Sequence, residues 1–421
     1  MATVLPWGES IVVLMELGFP VNPFTLDSAT LGVLNVNVLD GALLGDDVAG
    51  YTQQLNINRG RQDQLSAISA GNCSITLLNN DRRFDPTNQS SPYYDATLGQ
   101  SGVTPRRKVT VTLNGETLFV GRITDIDLSY QTGNSTDIST VVINAADDFV
   151  LLANTATTTD LTPAIELSGT RLNYLLALSD VAYSGVTAID AGTVSLGAYV
   201  INSNTNVLTY AQAIAASEQG LFFVARSGTL TFTDRVTRGF LVSSATFSDQ
   251  QGSGIKYQTL GVAYGQEFLY NKVVVTRDGG VSQVANDATS QAEYGISTLS
   301  LNNLLLESDT DAATLASDLL TLYAEPQYRF SDMGILVSAQ TSLDRTALNG
   351  LELGDTITVE RNYQTGSPLL FSKEQTVERL SHVITPNSHR LTVSLSDAYI
   401  LNVFLLDDAI FGRMDEDNAL S

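Results

Sequence analysis

Apolar residues recur at every second position over most of this chain, and that habit restricts the fold more than any other feature. A strand turns successive side chains to opposite faces, so period-two alternation predicts half-buried sheet. In KVTVTLNGETLFVGRITDIDLSY (108–130), Val109, Val111 and Leu113 share one face. Asn114-Gly115 supplies the residue pair that a tight hairpin requires, and Leu118 and Val120 resume the pattern. STVVINAADDF reads as the next strand. GLFFVARSGTLTFTDR (220–235) predicts a hairpin about Ser227-Gly228, and NKVVVTRDGGVSQVAND (271–287) another about Asp278-Gly279-Gly280. LELGDTITVERNY and HRLTVSLSDAYI complete the set.

Three stretches carry helical spacing instead. SGTRLNYLLALSDV places Leu172, Leu175, Leu176 and Ser179 on one stripe. VLTYAQAIAASEQG is expected to stop at Gly220, which suits a left-handed helix end. SDTDAATLASDLLTLYAEP repeats Ala312, Leu315, Ala316, Leu319, Leu320 and Tyr323 at i, i+3, i+4, i+7 and stops before Pro326. The expected fold is mainly β with an α+β insert. A β-rich unit with an N-terminal arm spans 1–155 and a mixed α+β unit spans 156–245. A second β-rich unit with one helix spans 246–395, and a C-terminal arm spans 396–421. The Thr-rich run NTATTTDLTP marks the first joint.

Charge excludes some functions. The 421 residues hold 22 Lys and Arg against 45 Asp and Glu, a formal net charge of −23. That field repels nucleic acid and anionic membranes, so binding DNA through a basic face is not expected. The acidity also suits the solubility of an oligomer. No apolar run reaches the length of a membrane-spanning helix. The start, MATVLPWGESIVVLMELGFP, lacks a basic leader and carries Glu9 and Glu16, so synthesis in a cytoplasm without a signal peptide is expected. Cys73 is the one cysteine, which leaves no internal disulfide, and its place in an alternating strand predicts a small buried side chain.

No constellation in the sequence points to catalysis. His382 and His389 lack the helical i, i+4 spacing of a zinc pair and fall on either side of the VITPNS turn. Asp147 and Asp148 are adjacent, so strand geometry would point them to opposite faces, and a turn or helix cap suits them better. Phosphate-binding loops, dinucleotide fingerprints and nucleophile elbows are missing. A non-enzyme without cofactor or metal is expected.

Two features point to assembly. GNCSITLLNNDRRFDPTN (71–88) sets Arg82 and Arg83 side by side, flanked by Asp81 and Asp85. As a calcium loop it fails, because two cations occupy its middle and Phe84 stands where a glycine is needed. Residues 59–108 carry seven bases against four acids. Arg59, Arg61, Arg82, Arg83, Asp81 and Asp85 are therefore candidates for an interface with other copies of this acidic chain. Internal ion pairing around the turn is the competing account. The second feature is a repeat: NPFTLDSATLGVL (22–34) aligns without gaps on NVFLLDDAIFGRM (402–414). Phe24, Leu26, Asp27 and Gly32 match Phe404, Leu406, Asp407 and Gly412. Two apolar arms docking on neighbouring subunits would explain it, and so would chance between short strand-turn segments.

RGRQDQLSAISAGNCSITLLNNDRRFDPTNQSSPYY (59–94) closely resembles the "RGR…L…AG…L.N.DrrFDP.N..SPY" signature of minor tail proteins in long-tailed, non-contractile phages. LFVGRITDID with INAADDFVLLAN, YAQAIAASEQGLFFVARSGTLTFTDR, NKVVVTRDGG and LELGDTITV are similar to further segments of that family, over most of residues 20–415. The resemblance implies a tail-tip hub akin to the baseplate hubs of contractile-tailed phages. Such a hub holds two tube-like β-barrels per chain, so a homotrimer presents six and adapts a six-fold tube to a three-fold tip. It implies a place at the distal tail tip of the virion. The partners it implies are the distal tail protein, the tape-measure protein and other tip proteins, with DNA passing without specific binding. The alternatives are a distal tail ring or receptor-binding minor tail protein, and a cell-wall-degrading tail enzyme. Ending at Ser421 leaves no room for the peptidase, lysozyme or carbohydrate-binding modules that some hubs append, so neither wall digestion nor receptor binding is expected of this chain.

Overall fold

The computed structural model describes residues 3–18, 45–130, 139–239, 242–250 and 252–398. The repeated segments holding Phe24, Leu26, Asp27, Gly32, Phe404, Leu406, Asp407 and Gly412 lie outside them.

Among the described residues one 14-stranded sheet dominates, and it curls twice. The first curl is built from Ser10–Met15, Thr52–Gly60, Ser69–Leu78, Lys108–Leu113, Glu116–Ser129 and Thr140–Ala146. Short strand Asp46–Asp47 pairs with Leu14 and Met15 just before the chain turns into Thr52–Gly60, so one length of chain brings the two sides of the curl together. Alternation does the sorting: Val109, Val111, Leu113, Ile143, Leu55 and Ile57 are all fully buried.

The Asn114-Gly115 hairpin forms as expected, with φ of 50° and 87°, which match the twist of the strands it joins. The pattern beyond it differs from expectation. Register slips between Val111 and Thr112, so Leu118 and Phe119 are both buried and Val120 is half-buried. An extra residue on one strand of an antiparallel pair rotates the remainder of that strand by one face.

The second curl is built from Thr259–Tyr264, Tyr328–Leu336, Thr356–Asn362, Leu370–Thr385 and Ser388–Asp397. Between the curls, helices Ser168–Ala177 and Val207–Glu218 pack beside the hairpin Leu221–Val224/Leu230–Thr233. Leu172, Leu175 and Leu176 are buried, while Ser179 falls beyond the helix end. The second of these helices ends on Gln219, which takes the left-handed conformation (φ 58°), rather than on Gly220 as expected. Gln219 tolerates it because its side-chain amide donates to the Ala216 carbonyl at 2.6 Å. Helix Asp309–Tyr323 starts with a reciprocal cap, Ser308 and Asp311 each accepting the other's backbone N–H. It packs on the small sheet of Lys272–Arg277, Gln283–Asn286 and Thr298–Leu304.

Two apolar cores result. One fills the first curl and takes Ile384 from the far end of the chain. The other runs continuously through the middle segment and the second curl, from Phe149 and Leu172 to Leu395. Among the described residues no helix is long and apolar enough to cross a membrane.

Candidate functional site

The two curls meet along one strand. Leu370–Thr385 spends a single edge on two partners: Leu370–Thr376 pairs with Thr356–Asn362, and Arg379–Ile384 pairs with Leu55–Gly60. Between these runs its register against Ser388–Asp397 breaks, at Val377–Arg379. Glu378 sits at that break, buried to 1% exposure.

Glu378 is held from three directions. Arg61 Nε donates to its Oε2 at 2.5 Å, Ser396 Oγ donates to its Oε1 at 2.6 Å, and Arg238 Nη2 lies 4.0 Å from that second oxygen. The Arg61 backbone N–H also donates to the Glu378 carbonyl at 2.9 Å. Burial pushes this carboxyl up, but the arginines and the hydrogen bonds outweigh burial and hold it below its ordinary value.

A second pair stands beside it. Arg59, 5% exposed, pairs with Glu352 Oε1. The other oxygen of Glu352 accepts the Arg226 backbone N–H at 2.7 Å. Arg226 sits at the tip of the middle segment's hairpin, and its Nη1 donates to Glu116 at 2.8 Å and to the Thr117 carbonyl at 3.0 Å. First curl, middle segment and second curl are thus tied by a chain of ion pairs that runs from buried Arg59 out to half-exposed Arg226 and Glu116. Asp147 belongs to the same region. It accepts the N–H of Gly71 at 2.6 Å and of Phe149, the first residue of the short helix Phe149–Ala153, at 3.0 Å, and burial pushes its carboxyl up to about 7.

The Arg82-Arg83 turn is closed on itself. Arg82 has a left-handed backbone (φ 55°), which sends the two neighbouring side chains in different directions. Arg82 donates to Asp85 through Nε and Nη2, at 3.0 and 2.6 Å. Arg83 donates to Asp81 at 2.8 and 2.6 Å and to the Tyr51 hydroxyl, with its guanidinium 4.1 Å from the centre of the Tyr51 ring. Tyr130 and Thr87 hydroxyls donate to Asp85, each at 2.6 Å. Burial raises the Asp85 carboxyl, but these donors win and hold it well below the usual carboxylate range. Phe84, fully buried between Tyr51 and Tyr93, anchors the turn.

The six charged residues expected at an interface therefore divide into two groups. Arg59 and Arg61 are inside, bonded across the seam to Glu352 and Glu378. Asp81, Arg82, Arg83 and Asp85 form a separate knot, in which the Arg82 side chain stays 53% exposed. Sequence reasoning did not single out Glu352, Glu378, Arg226 or Arg238. A signal existed: Arg59 continues the inward phase of Leu55 and Ile57, and an arginine in a buried phase demands an anion.

His382 and His389 do face each other across their hairpin, His382 Nδ1 3.0 Å from His389 Nε2, both buried. Cys73 is buried and unpaired. Among the described residues no group of three or more His, Cys, Asp or Glu is placed to hold a metal ion.

Buried Arg59 and Arg61 thus help lock the two curled sheets edge to edge. No family model and no curated protein matches the sequence of the chain. Its fold, however, is shared with phage tail proteins. The tail protein from Neisseria meningitidis MC58 superposes with a TM-score of 0.58 at 10% identity, covering 93% of this chain and 98% of that one. The 43 kDa tail protein of prophage MuSo2 from Shewanella oneidensis gives 0.56 at 10% identity, covering 93% and 99%. At such identity the likeness is one of fold, carried over nearly the whole length.

Proposed function

We propose that this chain is a structural protein of a phage tail, and within the tail a hub at the distal tip. The observation that carries the reading is the seam: one polypeptide holds two curled sheets in fixed register through Leu55–Gly60 and Arg379–Ile384. Its fold is that of tail proteins along nearly the entire chain. In this reading three copies form a ring of six curls around a channel, closing the tail tube until infection. The tape-measure protein and the distal tail protein are its neighbours, and DNA passes without being bound. The acidic surplus acts where carboxylates line the bore, since screening limits it to about 8 Å at physiological salt. The division at residues 155, 245 and 395, and the two repeated arms as docking elements, belong to the same reading. So does Arg82, the most exposed of the four arginines, as a contact between copies.

Light scattering on the full chain together with labelled micrographs of tails tests it. Three chain masses in solution and label on the tail axis at the distal end are expected. A monomer that degrades peptidoglycan, or label on side fibres, overturns it.

A further inference from the structure

We propose that the open edge of the second curl is a docking site for a basic, extended segment of another protein, which adds to the sheet as one more strand. The proposal goes beyond the tail-tip reading and does not depend on it.

Thr259–Tyr264 ends the strand order of the large sheet: among the described residues it pairs with Tyr328–Leu336 and with no other strand. An edge strand turns alternate backbone N–H and C=O groups outward, which makes it a template for a further strand. Natural edges are often guarded by charges or proline, and this one, TLGVAY, holds neither. Its register slips once, between Leu260 and Val262, and then runs regularly to Tyr264. Val262 and Tyr264, two apart and so on one face, are both exposed, Tyr264 to 69%.

Tyr264 belongs to an aromatic face. It stands opposite Tyr328 in register, and the Tyr328 hydroxyl lies 2.5 Å from that of Tyr363. It also lines an open cleft of about 750 Å³ with Glu267, Leu269, Tyr294, Ile296 and Pro326. Tyr294 is exposed, and Ile296 is exposed to 71%. An uncovered apolar patch rich in tyrosine marks an interaction surface. Its rim is acidic: Glu267 lines the cleft, and Glu293 and Glu325 are exposed on the residues just before Tyr294 and Pro326. The bases beside it are engaged or set back. Arg329, 4.0 Å from Glu267, stacks on Phe268 with its guanidinium 4.6 Å from the ring centre. Arg361 pairs with Asp249, and Lys272 is half-buried on the adjoining small sheet.

The open edge selects an extended chain, and the glutamates select bases on it. Main-chain hydrogen bonds to Thr259–Tyr264 supply affinity, and an arginine or lysine over Tyr264 or Tyr294 meets a ring face and carboxylates together. A second copy of this chain does not fit that description. Its formal net charge is −23. Its described strands that begin on a base, Lys108–Leu113 and Lys272–Arg277, are already paired on both edges. The occupant is therefore a different protein, one that offers a free strand of alternating apolar and basic residues.

Fluorescence anisotropy on the full chain tests this, with a labelled peptide that alternates valine and arginine as the probe. Binding is expected, with slowed hydrogen exchange at the outward-facing amides of Thr259–Tyr264 and unchanged exchange in Leu55–Gly60. A peptide alternating valine and glutamate should not bind. Methylating alternate backbone nitrogens of the arginine peptide keeps its charge but removes strand pairing, and should weaken binding about tenfold or more. Glu293→Lys with Glu325→Lys should weaken it to a similar degree. Binding indifferent to either change overturns the proposal, as does binding that leaves Thr259–Tyr264 unprotected. Outward-facing amides already slow in the free, dilute chain also overturn it and give the edge to another part of this chain. Protection that grows with protein concentration in the absence of peptide overturns it too, and gives the edge to a second copy.

Discussion

Gly60 lies against the carbonyl of Glu378, so close that a β-carbon on residue 60 would come within 2.1 Å of that oxygen. Its φ of +106° is also a conformation that L side chains rarely adopt. This is where the strand of the first curl meets the strand of the second. Gly60→Ala is therefore expected to cost about 3 kcal/mol or more in denaturant unfolding, through both clash and backbone strain. Gly115, which meets nothing within 4 Å, is the control: its alanine variant should lose only the smaller cost of its positive φ.

The Glu378–Arg61 pair is the second test of the seam. Glu378→Ala leaves Arg61 buried beside an absent anion, and breaking a buried pair this way costs about 3–5 kcal/mol. Replacing both residues with apolar ones of similar size, Arg61→Met with Glu378→Leu, should recover much of that loss. A double-mutant cycle read by urea unfolding measures the coupling. Additive single effects would show that the pair does not act as a unit.

Acid sensitivity should trace to His382 and His389. Burial lowers both, His382 well below its ordinary value and His389 to about 3, with the facing ring and Arg59 adding to the effect on His382. A depressed folded-state value means that protons favour the unfolded chain. The stability this gives is complete above about pH 6.5 and is lost as pH falls toward the folded value. Asp147, pushed up to about 7, and Asp355, to about 6, work in the opposite sense, because they take up protons when folded. The informative quantity is therefore a difference between variants. From pH 6.5 to pH 5, His389→Gln should lose about 1–2 kcal/mol less than the unaltered chain.

The Asp85 carboxylate holds the Arg82-Arg83 turn by accepting from Arg82, Thr87 and Tyr130. Asp85→Asn keeps the shape but places a donor where these donors converge. A loss of about 1–3 kcal/mol in thermal or denaturant unfolding is expected. Arg82→Gln should cost much less, because that side chain is largely exposed and water screens its pair with Asp85. Equal losses would show that Asp85 acts only through Arg82.

The strands, the Asn114-Gly115 hairpin and the apolar stripe of Asp309–Tyr323 were legible in the sequence because each rests on neighbours within a few residues. Pattern and turn chemistry are local, so they survive without knowledge of what packs against them. The slip at Leu118-Phe119 was not legible, since a bulge is decided jointly with the partner strand. Gln219 displaced Gly220 at a helix end for a similar reason: its own amide found a carbonyl.

The charged residues divide the same way. Sequence alone put Asp81, Arg82, Arg83 and Asp85 together in one turn, but not whether they pair with each other or with another copy. It also determined a mainly β chain with too few bases to hold DNA. Only the tertiary structure decided that Arg59 meets Glu352, and that Arg61 meets Glu378 across 317 positions of chain. A strand shows its inward phase in its own residues, but not which distant strand will share its edge. That choice was made by one strand, Leu370–Thr385, long enough to serve both curls at once.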